Sequence, residues 1–432
     1  MRVVLSGDAL ITREYAPRAD SRLLELLAEA DVRFTNMEML FNHYQGTPAV
    51  EAGGLHLSAS EAVARDLQKT GFNLFATANN HSLDFGTDGL LDHLNVIESL
   101  GMAFAGTGRA LGEAAEPAFL DTSTGRVGLV SCASSFATGQ RAGQRRGDFG
   151  GRPGLNPQRF KTKYLVTEEQ FEHLKAIADG LGITEMNEWA EYMEFRQPLD
   201  DPDNQLRLGA ANLFTETIYE RAEETKITTE AHEEDLARNV ASVKQAKRQA
   251  DLVIVSIHAH EPDVQIEKPA EFIHEFAHAC IDAGAGIVTG SGPHIMRGIE
   301  IYEGKPIFYS LGNLWFELET VDRLPADSYE MWKLDPTSLN AADFYDNALI
   351  GFQKDERYWE CALPSCEFEN GELKAITLHP FTLGYGEPRG RRGTPRAAAP
   401  EDAERILNYT AELSEPYGTV ISVAGGIGRI NF

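Results

Sequence analysis

Short apolar runs alternate with amphipathic stretches of helical period along the first third of the chain. Val3 to Leu5, Val32 to Thr35, Phe72 to Thr77, Met102 to Ala105, Ala118 to Leu120 and Val127 to Ser131 read as strands. Ser21 to Glu29, Ser60 to Thr70 and Asp88 to Leu100 read as helices, the last two stopped by Gly71 and Gly101. The alternation resumes later with a helix from Glu233 to Ala250, a strand from Leu252 to Ser256, a helix from Ala270 to Ala283 and a strand from Gly286 to Thr289. Lys305 to Asn313 reads as a strand ending in a polar turn, and Pro400 to Ser414 as a helix. Strands and helices in this order predict a layered α/β domain, not an all-β barrel.

Residues 137–235 break the pattern. They open with a Gly/Arg-rich stretch at 139–147, pass Arg152-Pro153-Gly154-Leu155-Asn156-Pro157, and become helical and heavily charged. We read them as a helical and loop insertion capping the site, with the core formed by 1–136 and 236–432. The arginines of the insertion could hold a substrate carboxylate or belong to a solvated loop.

Polar residues cluster after the predicted strands, at the carboxyl ends where an α/β sheet keeps its chemistry. Asp8 follows Val3 to Leu5; Asn80, His81 and Asp84 follow Phe72 to Ala76; His258 and His260 follow Leu252 to Val255; and His294 follows Ile287-Val288. Strand alternation puts His258 and His260 on one face. Such strand ends suggest one metal or acid/base site. His274 and His278 stand one helical turn apart and read as a solvated helix face, while Glu261, Arg297 and Asn313 read as structural.

Composition narrows the partners. The formal net charge of −27 argues against phosphate-backbone or anionic-membrane binding and suits a basic peptide. The length of 432 residues is enough for two or three domains. Four scattered cysteines offer no disulfide scaffold, so reduced thiols are expected. The first residues enter a strand directly, and no window approaches about 18 uninterrupted apolar residues. A cytoplasmic protein off the membrane is the expectation.

Several blocks together resemble the CapA family, named for poly-γ-glutamate capsule biosynthesis and part of the calcineurin-like metallophosphatase superfamily. They are Ser6-Gly7-Asp8, Asn36-Met37-Glu38, Ala78 to Gly86, His258, Gly290-Ser291-Gly292-Pro293-His294 and Phe308 to Asn313. The resemblance implies a two-sheet β-sandwich flanked by helices, with a metal site at the strand ends. It places Asp8, Glu38, Asn80 and His258 as metal ligands, His294 at the last histidine block, and His81 as a proton donor. Two departures stand out: Leu10 and Ser291 occupy places where relatives carry ligand histidines. Binuclear hydrolysis needs both ions, and the remaining donors are rich in hard oxygen. A single Ca, Mn or Mg ion is therefore expected over a two-metal Mn/Zn site.

His81 and His294, or His258 or His260 in place of one, could then flank a substrate from opposite faces, with Asp8 and Asp84 setting their tautomers. Two facing acid/base groups are what inversion at a peptide Cα requires. The family is similar to enzymes that include the lasso-peptide epimerases, which act on ribosomal precursor peptides. The expected activity is thus metal-dependent epimerisation of a peptide that is basic or has a free C-terminal carboxylate. Two alternatives stay open: a poly-γ-glutamate-type amide hydrolase or transferase, and a binding protein on a degraded metallophosphatase scaffold.

Overall fold

The computed structural model describes residues 1–52, 54–209 and 217–430. They form two compact units, one of Met1–Arg159, Glu233–Pro269 and Phe276–Phe432, the other of Phe160–His232 and Ala270–Glu275.

Two large sheets form the core of the larger unit. The first runs, in spatial order, through strands Ile421–Ala424, Ile427–Ile430, Glu372–Thr382, Glu360–Glu369, Arg2–Leu10, Val32–Met37, Leu74–Ala76 and Ala103–Ala105. The second runs through Ile299–Tyr302, Lys305–Phe308, Ile287–Ser291, Leu252–His258, Gly125–Ala133 and Ala118–Thr122. Period-two alternation decides the layers. Val3, Leu5, Val32, Phe34 and Leu74 join Val127, Leu129, Leu252, Ile254 and Phe308 in one buried cluster between the sheets. Val4 points the other way, into a second cluster with Leu23, Leu27, Val63, Leu67, Leu90 and Leu94 of the covering helices Ser21–Ala28, Glu61–Thr70 and Gly86–Ser99. Helix Glu233–Lys247 lies over strand Gly125–Ala133, where a Cβ on Gly128 would stand 3.2 Å from that of Ala246. This is the expected calcineurin-like layering of two sheets with flanking helices.

The central strands are parallel, so their carboxyl ends gather at one edge. Strand Arg2–Leu10 pairs in parallel with Val32–Met37 and with Asn313–Phe316, setting Asp8 opposite both Asn36 and Asn313. In the other sheet Leu252–His258 pairs with Ile287–Ser291, setting His258 opposite Ser291. The alternation did not reveal the long antiparallel hairpin Glu360–Glu369/Glu372–Thr382, which extends the first sheet.

Residues 138–159 pack with the larger unit. The smaller unit is more than helix and loop. It holds a four-stranded sheet in the order Gln205–Leu208, Thr217–Arg221, Phe160–Val166 and Lys226–Ala231, together with helices Glu168–Gly180 and Ile183–Tyr192. Its strands escape a reading by apolar runs because charge interrupts them: Lys161 and Lys163 alternate with Thr162 and Tyr164. Packing decides instead. Phe160 stacks on Phe272 at 4.4 Å, and the Arg221 guanidinium lies 4.1 Å over the Phe171 ring.

Candidate metal and acid/base centre

Asp8 anchors the site from the end of the first strand, where the register shifts on both sides of it. Its neighbour Gly7 runs so close to Gly312 that a Cβ would fall 1.9 Å from the Gly312 carbonyl oxygen, so no side chain fits there. The buried Asp8 carboxylate accepts from Asn36 Nδ2 at 2.7 Å and from the Gly292 amide at 2.9 Å. Burial alone would raise its pKa. His258 Nδ1 and His294 Nδ1, each 3.6 Å away, and the Asn36 bond outweigh that and hold Asp8 well below the usual carboxylate range.

Glu38 is the opposite case. It is fully buried, and neither of its carboxylate oxygens has a hydrogen-bond partner. Burial, with the neighbouring charges of Asp8 and Asp84, pushes its pKa well above the ordinary value. Three imidazoles face the same Glu38 Oε1 through Nε2: His258 at 3.6 Å, His294 at 3.8 Å and His81 at 4.0 Å. His258 Nε2 is likewise buried and without a hydrogen-bond partner.

Two carboxylates side by side, with unsatisfied buried atoms converging on one of them, call for a cation or a shared proton. Ligand atoms of Asp8, Glu38 and His294 lie within 4.8 Å of one another, as do those of Glu38, His258 and His260. The donor set therefore fits a divalent cation, with oxygen from Asp8 and Glu38 and nitrogen from the histidines.

The supports of each imidazole are distinct. His81 sits in the turn after strand Leu74–Ala76, where its amide donates to Asn79 Oδ1 at 3.1 Å and its Nδ1 pairs with Asp84 Oδ2 at 2.7 Å. Asp84 Oδ2 also accepts the Leu57 amide at 2.8 Å. His294 has a left-handed backbone at φ 61°, uncommon for a residue with a Cβ. Its Nδ1 meets Asn313 Oδ1 at 2.9 Å, and Asn313 Nδ2 donates in turn to the His294 and Tyr358 carbonyls. Burial pulls the His294 pKa down to about 4. His258 Nδ1 contacts Ser291 Oγ at 3.1 Å and Asn36 Nδ2 at 3.2 Å, leaving Nε2 turned to Glu38. The ring of His260 stands edge-on to those of His258 and His294, at 5.0 and 5.7 Å.

The structure thus gathers Asp8, Glu38, His81, Asp84, His258, His260 and His294, and places Asn80 next to His81 with its carbonyl accepting from Gln140 Nε2 at 2.7 Å. One expectation changes. Asp8 does not orient His294, because its Oδ2 stands 3.6 Å from Nδ1 and accepts from the Gly292 amide, while its Oδ1 accepts from Asn36; Asn313 takes that place. Asn313, read from the sequence as structural, and Asn36 and Gln140 are the residues that sequence reasoning passed over. Asn36 was visible only as the residue two before Glu38. His278 instead lies 3.0 Å from Glu300 and stacks on Tyr302 at 3.9 Å, so it is partly buried against strand Ile299–Tyr302 and not a solvated helix face.

The family described as bacterial capsule synthesis protein PGA_cap matches residues 3–318, a span that carries Asp8 through Asn313. The chain belongs to that family. Two proteins of Sinorhizobium fredii, the uncharacterized y4sH and y4uA, are each 34% identical over 99% of this chain and 92% of their own. The Bacillus anthracis capsule biosynthesis protein CapA is 23% identical over 61% of this chain and 44% of its own. A Staphylococcus aureus protein solved in complex with alpha-ketoglutarate covers 95% of this chain and 58% of that one at a TM-score of 0.38 and 9% identity, too distant to bear on fold or function. Among the described residues no helix of this PGA_cap family member is long and apolar enough to cross a membrane.

Proposed function

We propose that the chain is a metal-supported acid/base enzyme that inverts a peptide Cα, with His81 and His294 as the two proton-carrying groups. One observation carries the reading: both imidazoles turn Nε2 toward the same Glu38 oxygen, while Nδ1 of each is fixed behind by Asp84 or Asn313. Fixing Nδ1 leaves Nε2 as the working atom. A neutral imidazole takes the Cα proton at Nε2 and becomes imidazolium; the imidazolium on the other side returns a proton to the opposite face. The two rings exchange protonation states, and proton exchange with solvent resets them. Asp8, Glu38, Asn80 and His258, with His260 beside them, would hold one divalent ion, Ca, Mn or Mg. A bound cation would supply positive charge for the oxygen that becomes electron-rich as the proton leaves. The rings of Phe316 and Phe352, 5.5 and 6.0 Å from that of His294, give this side of the site an apolar wall.

Family membership, and the capsule role in the name of the Bacillus anthracis relative, favour a second reading, amide hydrolysis or transfer on a γ-linked glutamate chain. Incubation with candidate peptides and with oligo-γ-glutamate in D₂O distinguishes the two. Epimerisation adds one deuteron at the inverted residue with the chain intact, whereas hydrolysis shortens the chain. Cleavage without Cα exchange overturns the first reading, and neither change would leave a binding protein.

A further inference from the structure

The smaller unit carries an exposed apolar face that the chemistry above does not use. On helix Ile183–Tyr192 and its C-terminal cap, Met186, Trp189 and Met193 follow one another at helical spacing, all exposed, with Trp189 54% accessible. Phe195, 56% accessible, packs edge-on against Trp189 with ring centres 5.6 Å apart. Ile177 and Leu181, one turn apart at the end of helix Glu168–Gly180, are also exposed. Helix Ile183–Tyr192 buries Asn187 and Ala190 alongside this stripe, so its contact with the rest of the unit is already made and the exposed side chains are surplus to folding. Large apolar side chains gathered in this way mark an interaction surface.

The charge around that face states what it takes. Between residues 179 and 203 the chain has eight acidic residues and one basic residue. The basic one, Arg196, is buried and donates to Asn187 Oδ1 at 2.6 Å, so it does not offset the exposed acids. Glu185 and Glu188 are exposed beside Trp189 on the helix, and Glu194 follows it. A second copy of this chain would bring two acidic rims together, and an anionic membrane would be repelled. We infer that this face docks a cationic amphipathic peptide segment, whose apolar side chains pack on Trp189, Met186 and Met193 while its Lys or Arg residues meet Glu185, Glu188 and Glu194. Methionines and a tryptophan suit such docking, the first by adapting their shape and the second by anchoring.

The test uses the full chain and a fluorescein-labelled 18-residue Leu/Lys peptide with its leucines on one helical face, followed by fluorescence anisotropy. A Ser/Lys peptide of identical charge is the control. The Leu/Lys peptide should bind at least about tenfold more tightly than the control, and Trp189→Ser with Met193→Ser should remove that margin. Circular dichroism checks that the variant keeps its fold, and Glu185→Lys with Glu188→Lys should weaken the Leu/Lys peptide further still. Equal affinity for the two peptides, or an unchanged margin in the double serine variant, overturns the inference. So does sedimentation showing a dimer of the wild type that the double serine variant dissolves, since a second copy would then occupy the face.

Discussion

His81 and His294 bring the same atom to the same carboxylate from two differently built supports. His81 rests on a carboxylate: Asp84 lies 2.7 Å from its Nδ1 and is itself pinned by the Leu57 amide. His294 rests on an amide: Asn313 lies 2.9 Å from its Nδ1 and ties back to the His294 carbonyl across a left-handed turn. A full negative charge behind one ring and a neutral dipole behind the other make the pair unequal in how each carries a proton. An inverting pair profits from this, since at any moment one ring must be charged and the other neutral. The comparison also shows that orientation and charge are separable tasks, because Asn313 performs the first without the second.

Removal of either ring should cost the most activity. His81→Ala and His294→Ala should each lower epimerisation by about 10³-fold. Each variant should still wash deuterium into one of the two epimers, and the epimer should differ between the variants. Loss of exchange with both epimers in both variants, read by mass spectrometry, would end the two-group mechanism.

The supports come next. Asp84→Asn should cost about 10²-fold in kcat, since it removes the charge and blurs the tautomer, whereas Asn313→Ala should cost about tenfold. Equal losses in the two variants would show that the charge behind His81 does nothing that a dipole cannot do.

The His81 side also has an acid-sensitive prop. His93, on the helix that follows Asp84, is buried and accepts the Phe41 amide at Nδ1, three residues beyond Glu38. Burial lowers its pKa from 6.5 to about 4. The unfolded chain therefore binds this proton more readily than the folded one below pH 6.5, so the stability is whole above that pH and lost as pH falls toward 4. Between pH 7.5 and 4.5 the loss should be roughly 2–3 kcal/mol, and His93→Gln should lack this component in urea unfolding.

The smallest effect concerns His258, the proposed ligand whose ring edge faces Ser291. Ser291 Oγ stands 3.1 Å from its Nδ1, on the ring edge away from the Glu38-facing Nε2. Ser291→Ala should weaken Mn²⁺ binding by about tenfold without changing stoichiometry, as titration calorimetry would read. An unchanged affinity would mean that Asn36 alone, 3.2 Å from the same nitrogen, orients the ring.

Much of this architecture was legible in the chain. The strands that carry Asp8, His258 and Ser291 each hold a short apolar run, Val3 to Leu5, Leu252 to Val255 and Ile287-Val288, because parallel strands are buried on both faces, so they stand out without any structure. Local geometry could also be read: Asp84 three residues after His81 is a short-range pairing, and the positions of Gly71 and Gly101 mark helix ends. The antiparallel hairpin Glu360–Glu369/Glu372–Thr382 and the strands of the smaller unit were harder, because Pro364 and Ser365 interrupt the apolar pattern of the first hairpin strand while charged positions interrupt that of Glu372–Thr382 and Phe160–Val166.

By itself the sequence determined that Asp8, His81, His258 and His294 stand at strand ends, since burial demands the apolar runs before them. Only the tertiary structure decided which of these groups meet. That Glu38 has no donor, that Asn313 rather than Asp8 backs His294, and that Gln140 reaches the Asn80 carbonyl all depend on contacts between residues 19 to 284 positions apart, or on a donor missing from a folded cavity. Local propensity has no term for such pairings; the order and register of strands brought together in a sheet supply it.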